Sequence, residues 1–561
     1  MKTNFTVIGV SLLIVAAVTV AVVVGVASGE KKGDVTNSVL RSEMIGSLCA
    51  VTDHKKTCID TLSQEAEYSK ATPIDLIKII ISRLRQEVQS VAAIKDTFAK
   101  DVLVPSQIAA LQDCQDLLKS ADDNLASTLR TVSAGLQSLI DHEDSLKSQL
   151  SAVISYQQTC KDGIKHPSIR AAIRLRLQTV TELTSDALAL ITQIPDINNI
   201  LDAPDAGDPR KLLGLAEARD GGYPTWFSAT DRGLSELHGK GLLKPNVVVA
   251  KDGSGQYRTI SEAVVAFSEN RNHRGTYVIY VKTGIYEENI TLKLRRGRVF
   301  MYGDGPRKTI ITGRKNCHDQ FTALRTATFS VRGKGFIARS MAFRNTAGPE
   351  GGQAVALQVQ ADMSAFFNCR IDGYEGTLHA LAHRQFYRDC VISGTVDFIF
   401  GDSSTLIQNS VIMVKKPLDN QQNTITASGR ADDQQTTGFV IQNCRIVRGQ
   451  ELFPVRFSTA TYLGRPWKRY SRTVVMESTL GDLIHPKGWL ARNGTFAVDT
   501  LLYAEYANKG PGADTSGRVD WKGYKVITNR TEALAYTVAP FIQGDQWLKR
   551  SGMPILLGLK L

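Results

Sequence analysis

Apolar residues recur at spacings of three and four in the first part of the chain, between about residues 36 and 200. The pattern is clearest within 74–84, 102–118, 126–139 and 173–191. This spacing places apolar side chains on one face of an α-helix, and such helices pack together through that face. We therefore predict an all-α four-helix bundle over residues 36–200. It contains no cluster typical of a metal or catalytic site, which favours an interaction domain.

The pattern changes after Asn246 to short β runs separated by glycine, asparagine and threonine. A similar apolar phrase around an asparagine or acidic residue recurs at intervals of 23, 21, 20, 34 and 34 residues, at Asn345, Asn368, Asp389, Asn409, Asn443 and Glu477. These intervals match the turns of a strand solenoid, in which asparagine can occupy a left-handed corner and stack on its equivalents. We predict an all-β right-handed parallel β-helix over residues 240–561. A β-sandwich or a propeller is the structural rival.

Residues 201–228, between these two parts, are interrupted by glycine and proline and show no periodicity, which is typical of a linker. The linker contains the dibasic pair Arg210-Lys211, followed by two leucines. A basic pair in an exposed loop is a place where a processing protease of the subtilisin-like kind is expected to cut. The alternative is a charged linker that stays uncut.

An unbroken apolar run occupies residues 7–27. Its 21 residues are enough to span a bilayer and exceed the core of an ordinary signal peptide, which has about 7 to 15 residues. Residues 1–30 are therefore expected to be a signal peptide or a signal anchor for the secretory route. The flanking charges do not decide between a removed segment and membrane anchorage through 7–27.

Secretion makes the eight cysteines candidates for disulfides. Four lie in the helical part, where the simplest pairing joins Cys49 to Cys58 and Cys114 to Cys160, although four cysteines allow three connectivities. The pairing of the other four is left open. N-glycosylation is expected at the sequons that begin at Asn289, Asn493 and Asn529.

The net charge of +12 is unevenly distributed. Residues 1–223 carry 23 basic and 27 acidic side chains, a net −4, whereas residues 224–561 carry 44 and 28, a net +16. This asymmetry favours two domains that attract each other and a second domain whose partner is a polyanion. Nucleic acid is excluded as that partner because the chain is expected to be secreted and has no nucleic-acid motif. An acidic polysaccharide fits the charge and the compartment.

Four segments in order resemble the signatures of plant pectin methylesterases: 284–288 (GIYEE), 353–357 (QAVAL), 394–401 (GTVDFIFG) and 463–467 (LGRPW). The resemblance extends over essentially the whole chain, because the helical part resembles the pectinesterase-inhibitor domain. It implies a β-helix without metal or organic cofactor that hydrolyses methyl esters of homogalacturonan in the cell wall. The inhibitor-like domain then becomes an intramolecular partner of the enzyme.

The resemblance also implies roles for individual residues. Asp397 is expected to be the nucleophile that attacks the ester carbonyl, and Arg465 is expected to hold it ionised through a bidentate contact. Trp467 offers a flat face for a sugar ring, and Gln353 donates a hydrogen bond to the oxyanion. The structural alternatives are a strand corner for Asp397, plain packing for Trp467 and a strand-end cap for Gln353.

One segment departs from the family pattern. Family members typically have Gly-Tyr-Gln-Asp-Thr-Leu-Tyr-Val-His, whereas residues 373–381 are Gly-Tyr-Glu-Gly-Thr-Leu-His-Ala-Leu. Gly376 therefore replaces the aspartic acid that donates the proton, and Glu375 replaces the oxyanion-binding glutamine. Loss of general acid catalysis costs about 10²- to 10⁴-fold in rate. The alternative function is accordingly a catalytically impaired pectin-binding or inhibitor-type protein.

A rescue of catalysis by Glu375 is the competing hypothesis. A like charge on Asp397 raises the pKa of Glu375, and the protonated side chain can then act as acid and as oxyanion donor. His379 is a weaker candidate for the acid. Two smaller departures are Ala323 in place of a substrate-contacting threonine and Ser410 in place of a cysteine expected to pair with Cys390, which predicts a free or differently paired Cys390 thiol.

Overall fold

The structure, a computed structural model, describes residues 42–64, 72–93, 104–193, 244–269, 275–295 and 297–560. The chain divides into two units, Met1–Gly222 and Tyr223–Leu561. The apolar run 7–27 and the linker 201–228 with its dibasic pair lie outside the described residues. In the described part of the chain, no helix is long and apolar enough to cross a membrane.

The first unit is helical, as its apolar spacing predicts. Within the described residues, 42–49 are helical and are followed by α1 (Lys55–Gln64), α2 (Pro73–Ala92), α3 (Pro105–Ser133), α4 (Leu136–Asp141), α5 (Glu143–Gly163) and α6 (Pro167–Thr192). Helix α2 begins with a capping box, in which Thr72 Oγ1 accepts from the Asp75 N–H at 3.3 Å and Asp75 Oδ2 accepts from the Thr72 N–H at 3.0 Å. This pairing satisfies two backbone donors that the first turn leaves open.

Helix α5 is the long helix that the apolar spacing alone does not single out. Several of its buried positions are polar, including Ser148, Ser151, Ser155 and Gln157. The Gln157 amide donates to Thr184 Oγ1 of α6 at 2.9 Å, so part of this helix contact is a hydrogen-bonded polar layer. The apolar spacing alone therefore does not predict helix α5, because several of its buried positions are polar.

Both disulfides expected in the helical unit are present. Cys49 is bonded to Cys58, and Cys114 on α3 is bonded to Cys160 on α5. The second bond links two helices that are distant in sequence and pack side by side.

The second unit is a parallel β-helix that consists mainly of short strands. Its first half contains β1 (Val247–Val249), helix α7 (Ile260–Glu269), β2 (Thr276–Val281), β3 (Gly284–Glu287), β4 (Ile290–Lys293), β5 (Arg298–Gly303), β6 (Thr309–Gly313), β7 (Phe329–Lys334), β8 (Phe336–Arg339), β9 (Ala342–Asn345), β10 (Leu357–Asp362), β11 (Ser364–Phe367), β12 (Arg370–Asp372) and β13 (Leu378–Ala380). Its second half contains β14 (Arg384–Arg388), β15 (Val391–Gly394), β16 (Ile399–Gly401), β17 (Ser404–Gln408), β18 (Val411–Val414), β19 (Asn423–Ser428), β20 (Gly438–Gln442), β21 (Arg445–Arg448), β22 (Thr461–Gly464), β23 (Arg472–Met476), β24 (Thr479–Leu480), β25 (Leu502–Tyr506), β26 (Tyr524–Val526), and helices α8 (Arg530–Leu534), α9 (Val538–Ile542) and α10 (Gly544–Trp547).

The strands form three parallel sheets, and each coil of the chain visits them in turn. Sheet A has 11 strands from β1 to β26, sheet B has seven strands from β4 to β22, and sheet C has eight strands from β3 to β24. A typical coil runs from β11 in sheet A through β12 in sheet C to β13 in sheet B. The described strand pairs are parallel and in register from coil to coil, which confirms the β-helix prediction.

The corner between sheets A and C carries the predicted ladder. Asn368, Asp389, Asn409, Asn443 and Glu477 occupy it with φ between 51° and 53°. The Asn443 amide donates to Asn409 Oδ1 at 3.1 Å, so equivalent side chains stack between coils. These contacts compensate for the left-handed backbone, which otherwise costs about 1–2 kcal/mol per residue.

The first member of the predicted repeat was wrong. Asn345 ends β9 in sheet C, and the true corner of that coil is Ser340, with φ 53°. The Asn368 amide donates to Ser340 Oγ at 3.0 Å, which fixes the equivalence. Asn345 is instead buried, and its amide donates to the Lys315, Thr326 and Val355 carbonyls. A run of apolar residues around an asparagine does not distinguish a left-handed corner from a buried position at the end of a strand.

The outer faces of sheets A and B are covered by different side chains. Apolar side chains on the outer face of sheet A, among them Phe386 and Leu406, pack against the C-terminal helices through Val538, Phe541 and Ile542. The outer face of sheet B instead carries a small apolar cluster that includes Phe400 and the partly buried Trp467. The latter surface borders the loops that hold the candidate site.

Candidate active site

The loops that lead from sheet C to sheet B stack along the β-helix. Three successive loops carry most of the predicted site residues, which are Gln353, then Glu375 with Gly376, then Asp397. The Ala354 N–H donates to the Glu375 carbonyl at 3.0 Å, and the Gly376 N–H donates to the Val396 carbonyl at 3.1 Å. Residues that are distant in sequence thus become neighbours because the coils are in register.

Asp397 is held from two sides. Arg465 donates to both carboxylate oxygens, with Nε 2.8 Å from Oδ1 and an Nη 2.8 Å from Oδ2. Thr424 Oγ1 donates to Oδ1 at 2.6 Å and accepts from the Asp397 N–H at 2.9 Å. Burial lowers the pKa of Arg465, but its hydrogen bonds and charge contact with Asp397 outweigh burial and raise it overall. The bidentate contact predicted from the sequence is therefore present in the structure.

The backbone of Asp397 is left-handed, with φ 47°. A non-glycine residue in this conformation is strained, and such strain often accompanies functional sites. The side chain remains one-fifth exposed, so one edge of the carboxylate stays accessible. Among the described residues, Oδ2 accepts one hydrogen bond, from Arg465, whereas Oδ1 accepts two, which leaves Oδ2 the freer oxygen.

Glu375 lies beside this ion pair. Burial raises the pKa of Glu375, and the negative charge of Asp397 raises it further. The charges of Arg465 and His318 and a hydrogen bond with Gln421 act in the opposite direction but do not cancel the rise. A carboxyl group in this environment holds its proton at higher pH than an ordinary glutamate.

Gly376 has no room for a side chain in its present conformation. Its φ is 67°, and a Cβ atom would lie 2.7 Å from Gln353 Cγ and 3.3 Å from Phe400 Cε1. The aspartic acid of the family pattern at this position therefore requires a different arrangement of the loop or of Gln353. The loop of this chain is adapted to glycine.

We expect Gly376→Ala to lower the free energy of unfolding by about 1–2 kcal/mol for left-handed strain and by about 1–3 kcal/mol more for overpacking. Gly552→Ala is the matched control, because Gly552 has the same φ of 67° and no atom within 4 Å of an added Cβ. Denaturant unfolding of both variants measures the difference. Equal losses would show that Gln353 moves aside without cost.

Aromatic side chains border the site on the outer face of sheet B. Trp467 and Phe400 lie with ring centroids 5.8 Å apart at an interplanar angle of 55°. His379 stacks on Phe400 at 4.2 Å, and neither of its ring nitrogens has a hydrogen-bond partner within the described residues. Burial lowers the pKa of His379 to about 3. His379 is therefore neutral near pH 7 and a poor proton donor.

Sequence reasoning missed Thr424, Gln421 and His318. Thr424 lies in β19 and Gln421 in the loop before it, one coil beyond Asp397, and His318 lies in the loop before β7. None of them belongs to a sequence motif that indicates a catalytic or binding role. Their contacts with Asp397 or Glu375 become visible only when the coils are stacked.

Comparison with known proteins assigns this arrangement to a family. The family model described as Pectinesterase matches residues 246–545. The chain belongs to the pectinesterase family. A second model, described as Plant invertase/pectin methylesterase inhibitor, matches residues 43–190 of this pectinesterase-family protein, within its helical unit. The resemblance drawn from the four sequence motifs is thus confirmed.

Relatives of this pectinesterase-family protein align over nearly its whole length. Pectinesterase 3 of Citrus sinensis is 40% identical over 544 residues, covering 95% of this chain and 92% of the relative. Pectinesterase/pectinesterase inhibitor U1 of Solanum lycopersicum is 40% identical over 569 residues, covering 98% and 95%. The solved structure of a pectin methylesterase from carrot is 50% identical, with a TM-score of 0.55 over 56% of this chain and 99% of its own.

Proposed function

We propose that this protein hydrolyses the methyl esters of homogalacturonan to pectate and methanol, with Asp397 as nucleophile and Glu375 as general acid. The observation that carries the proposal is the bidentate contact of Arg465 with Asp397 beside a carboxyl group of raised pKa. Two carboxyl groups kept in different protonation states can divide the roles of nucleophile and acid. This site requires no metal or organic cofactor.

In the first step, Asp397 Oδ2 attacks the ester carbonyl carbon, and the carbonyl oxygen becomes an oxyanion. We assign to the Gln353 amide the role of donor to that oxyanion, an interaction worth about 2.7–4 kcal/mol in comparable sites. Protonated Glu375 donates its proton to the methoxy oxygen as the bond to the carbonyl carbon breaks, and methanol leaves. Asp397 is then joined to the galacturonate acyl group as an anhydride.

In the second step, Glu375 is a carboxylate and accepts a proton from water. The hydroxide equivalent attacks the acyl carbon of the anhydride, and Asp397 leaves as a carboxylate. Arg465 and Thr424 then receive Asp397 in its starting hydrogen bonds. The products are a galacturonic acid carboxyl group, which releases its proton to solvent, and a protonated Glu375, so the enzyme is ready for another turnover.

The rest of the molecule is consistent with a polymeric, acidic substrate in the cell wall. The net +16 of residues 224–561 attracts pectate, and the partly exposed Trp467 supplies apolar surface for a sugar ring. We infer that residues 36–200 act as an intramolecular inhibitor and that a subtilisin-like protease separates them after Arg210-Lys211. Secretion through residues 1–30 delivers the protein to the wall.

Gly376 favours a second candidate, a catalytically impaired protein that binds pectin without hydrolysing it. The two functions are distinguished by methanol released from highly methyl-esterified homogalacturonan and by retention on immobilised polygalacturonate. We expect both methanol release and retention. Retention without methanol, for the full chain and for a form cut after Lys211, would establish the second candidate.

A further inference from the structure

A column of sulfur- and hydroxyl-bearing side chains runs through the β-helix, immediately after the left-handed corner of five successive coils. Its members are Cys369, Cys390, Ser410, Cys444 and Ser478. All five are buried, with relative exposures of 2% or less. The column is therefore an internal feature of the β-helix that the active-site chemistry does not use.

Backbone hydrogen bonds order this column from coil to coil. The Cys390 N–H donates to Ser410 Oγ at 3.0 Å, and the Ser410 N–H donates to Cys444 Sγ at 3.4 Å. The Cys444 N–H donates in turn to Ser478 Oγ at 3.0 Å. Ser410 thus contacts both Cys390 and Cys444. It lies on the coil between them, so these two cysteines are not on adjacent coils.

Cys369 and Cys390 are direct neighbours in the column. The Val391 N–H donates to the Cys369 carbonyl at 2.9 Å, and the strands that follow the two cysteines pair in register, Arg370 with Val391. Neighbouring strands lie about 4.7–4.9 Å apart, within the range of about 4.4–6.8 Å between Cα atoms that disulfides accept. In the structure both are free thiols, and the Cys390 thiol donates to the Phe366 carbonyl of the preceding coil at 3.4 Å.

Cys444 is a poor partner for either of them. It lies two coils from Cys390, which corresponds to about 9.5 Å between strands and exceeds the limit of about 7 Å for a disulfide. Only Cys369 is in reach of Cys390 within the column.

We propose that Cys369 and Cys390 form a disulfide between adjacent coils as the protein folds in an oxidising compartment. A low-molecular-weight disulfide supplies the oxidising equivalents. One protein thiolate attacks it and releases a small thiol, and the second protein thiolate then attacks the mixed disulfide and releases another. The balance is two protein thiols and one small disulfide consumed, and one protein disulfide and two small thiols formed.

The bond has a direct connection to the site. The 21-residue step from Cys369 to Cys390 contains the loop with Glu375 and Gly376, and the next loop carries Asp397. The disulfide therefore ties the coil that presents the acid to the coil that presents the nucleophile. Because burial raises the pKa of the Cys390 thiol well above its usual value, the folded thiols react slowly, and oxidation belongs to folding.

Peptide mapping of the full chain secreted from cells, alkylated under denaturing and non-reducing conditions, tests the proposal. We expect a peptide pair linked through Cys369 and Cys390 that separates on reduction, with Cys444 alkylated. Recovery of Cys369 and Cys390 both alkylated, or linked to another cysteine, would overturn the proposal. This measurement uses the natural sequence and does not depend on the folding of a variant.

A pair of variants distinguishes the stabilisation by the disulfide from the packing contribution of a buried thiol. Cys390→Ser and Cys444→Ser each replace a thiol in the same column with 1% exposure. Without reductant, we expect the β-helix of Cys390→Ser to unfold at a temperature lower by about 5 °C than that of Cys444→Ser. With reductant, the two should unfold together. A difference that persists under reduction, or no difference without reductant, would argue against the disulfide.

Discussion

Asp397→Asn is expected to reduce methanol release from methyl-esterified homogalacturonan by on the order of 10³-fold or more, because an amide cannot form the acyl intermediate. The substitution preserves the size of the side chain and its contact with Thr424. It removes one of the two oxygens that accept from Arg465. The rate of methanol release, measured at saturating substrate, reports the loss.

Asp482→Asn is the matched control for that experiment. Asp482 is likewise paired with arginine, with Arg456 at 2.9 Å and Arg448 at 3.4 Å, but it lies three coils beyond Asp397, in the loop after β24. We expect this variant to keep the parent rate within about twofold and both variants to bind polygalacturonate. A comparable rate in Asp397→Asn would refute the assignment of Asp397 as nucleophile.

The architecture was predictable because both domains have regular periods. Helical spacing, the cysteine positions and the recurring corner asparagines each depend on local sequence. The failure at Asn345 has a physical origin, since the left-handed corner is imposed by the coil and is filled by Ser340 in one coil and by Ala507, with φ 49°, in another. A corner occupied by neither asparagine nor an acidic residue leaves no recognisable pattern in the sequence.

The site was predictable only where residues belong to a family motif. The contact between Asp397 and Arg465 spans 68 residues, yet both stand in recognisable segments. Thr424 and Gln421 do not, and their positions depend on loop lengths that differ from coil to coil. Gly376 was identified as a departure, but the crowding of its missing Cβ against Gln353 is a property of the folded loop.

Glu375→Gln is expected to lower methanol release by about 10²- to 10⁴-fold, the usual contribution of a general acid. Glutamine retains an amide that can donate to the oxyanion, so the substitution removes the transferable proton while keeping the hydrogen-bonding role. The effect should therefore appear in kcat more than in KM. The matched control is Glu350→Gln, an exposed carboxylate in the neighbouring loop.

The pH dependence gives a second and independent test of Glu375. Its pKa is raised by burial first and by Asp397 second, and the donor form is the protonated one. In the parent protein, kcat/KM should fall as pH rises through that pKa, because the acid loses its proton. The same raised pKa makes the folded state bind a proton more tightly than the unfolded chain, so this group stabilises the fold below its unfolded pKa and loses that contribution as pH rises through the folded one. In Glu375→Gln both effects should vanish. A parent-like rate and alkaline limb in this variant would assign the proton transfer to another group.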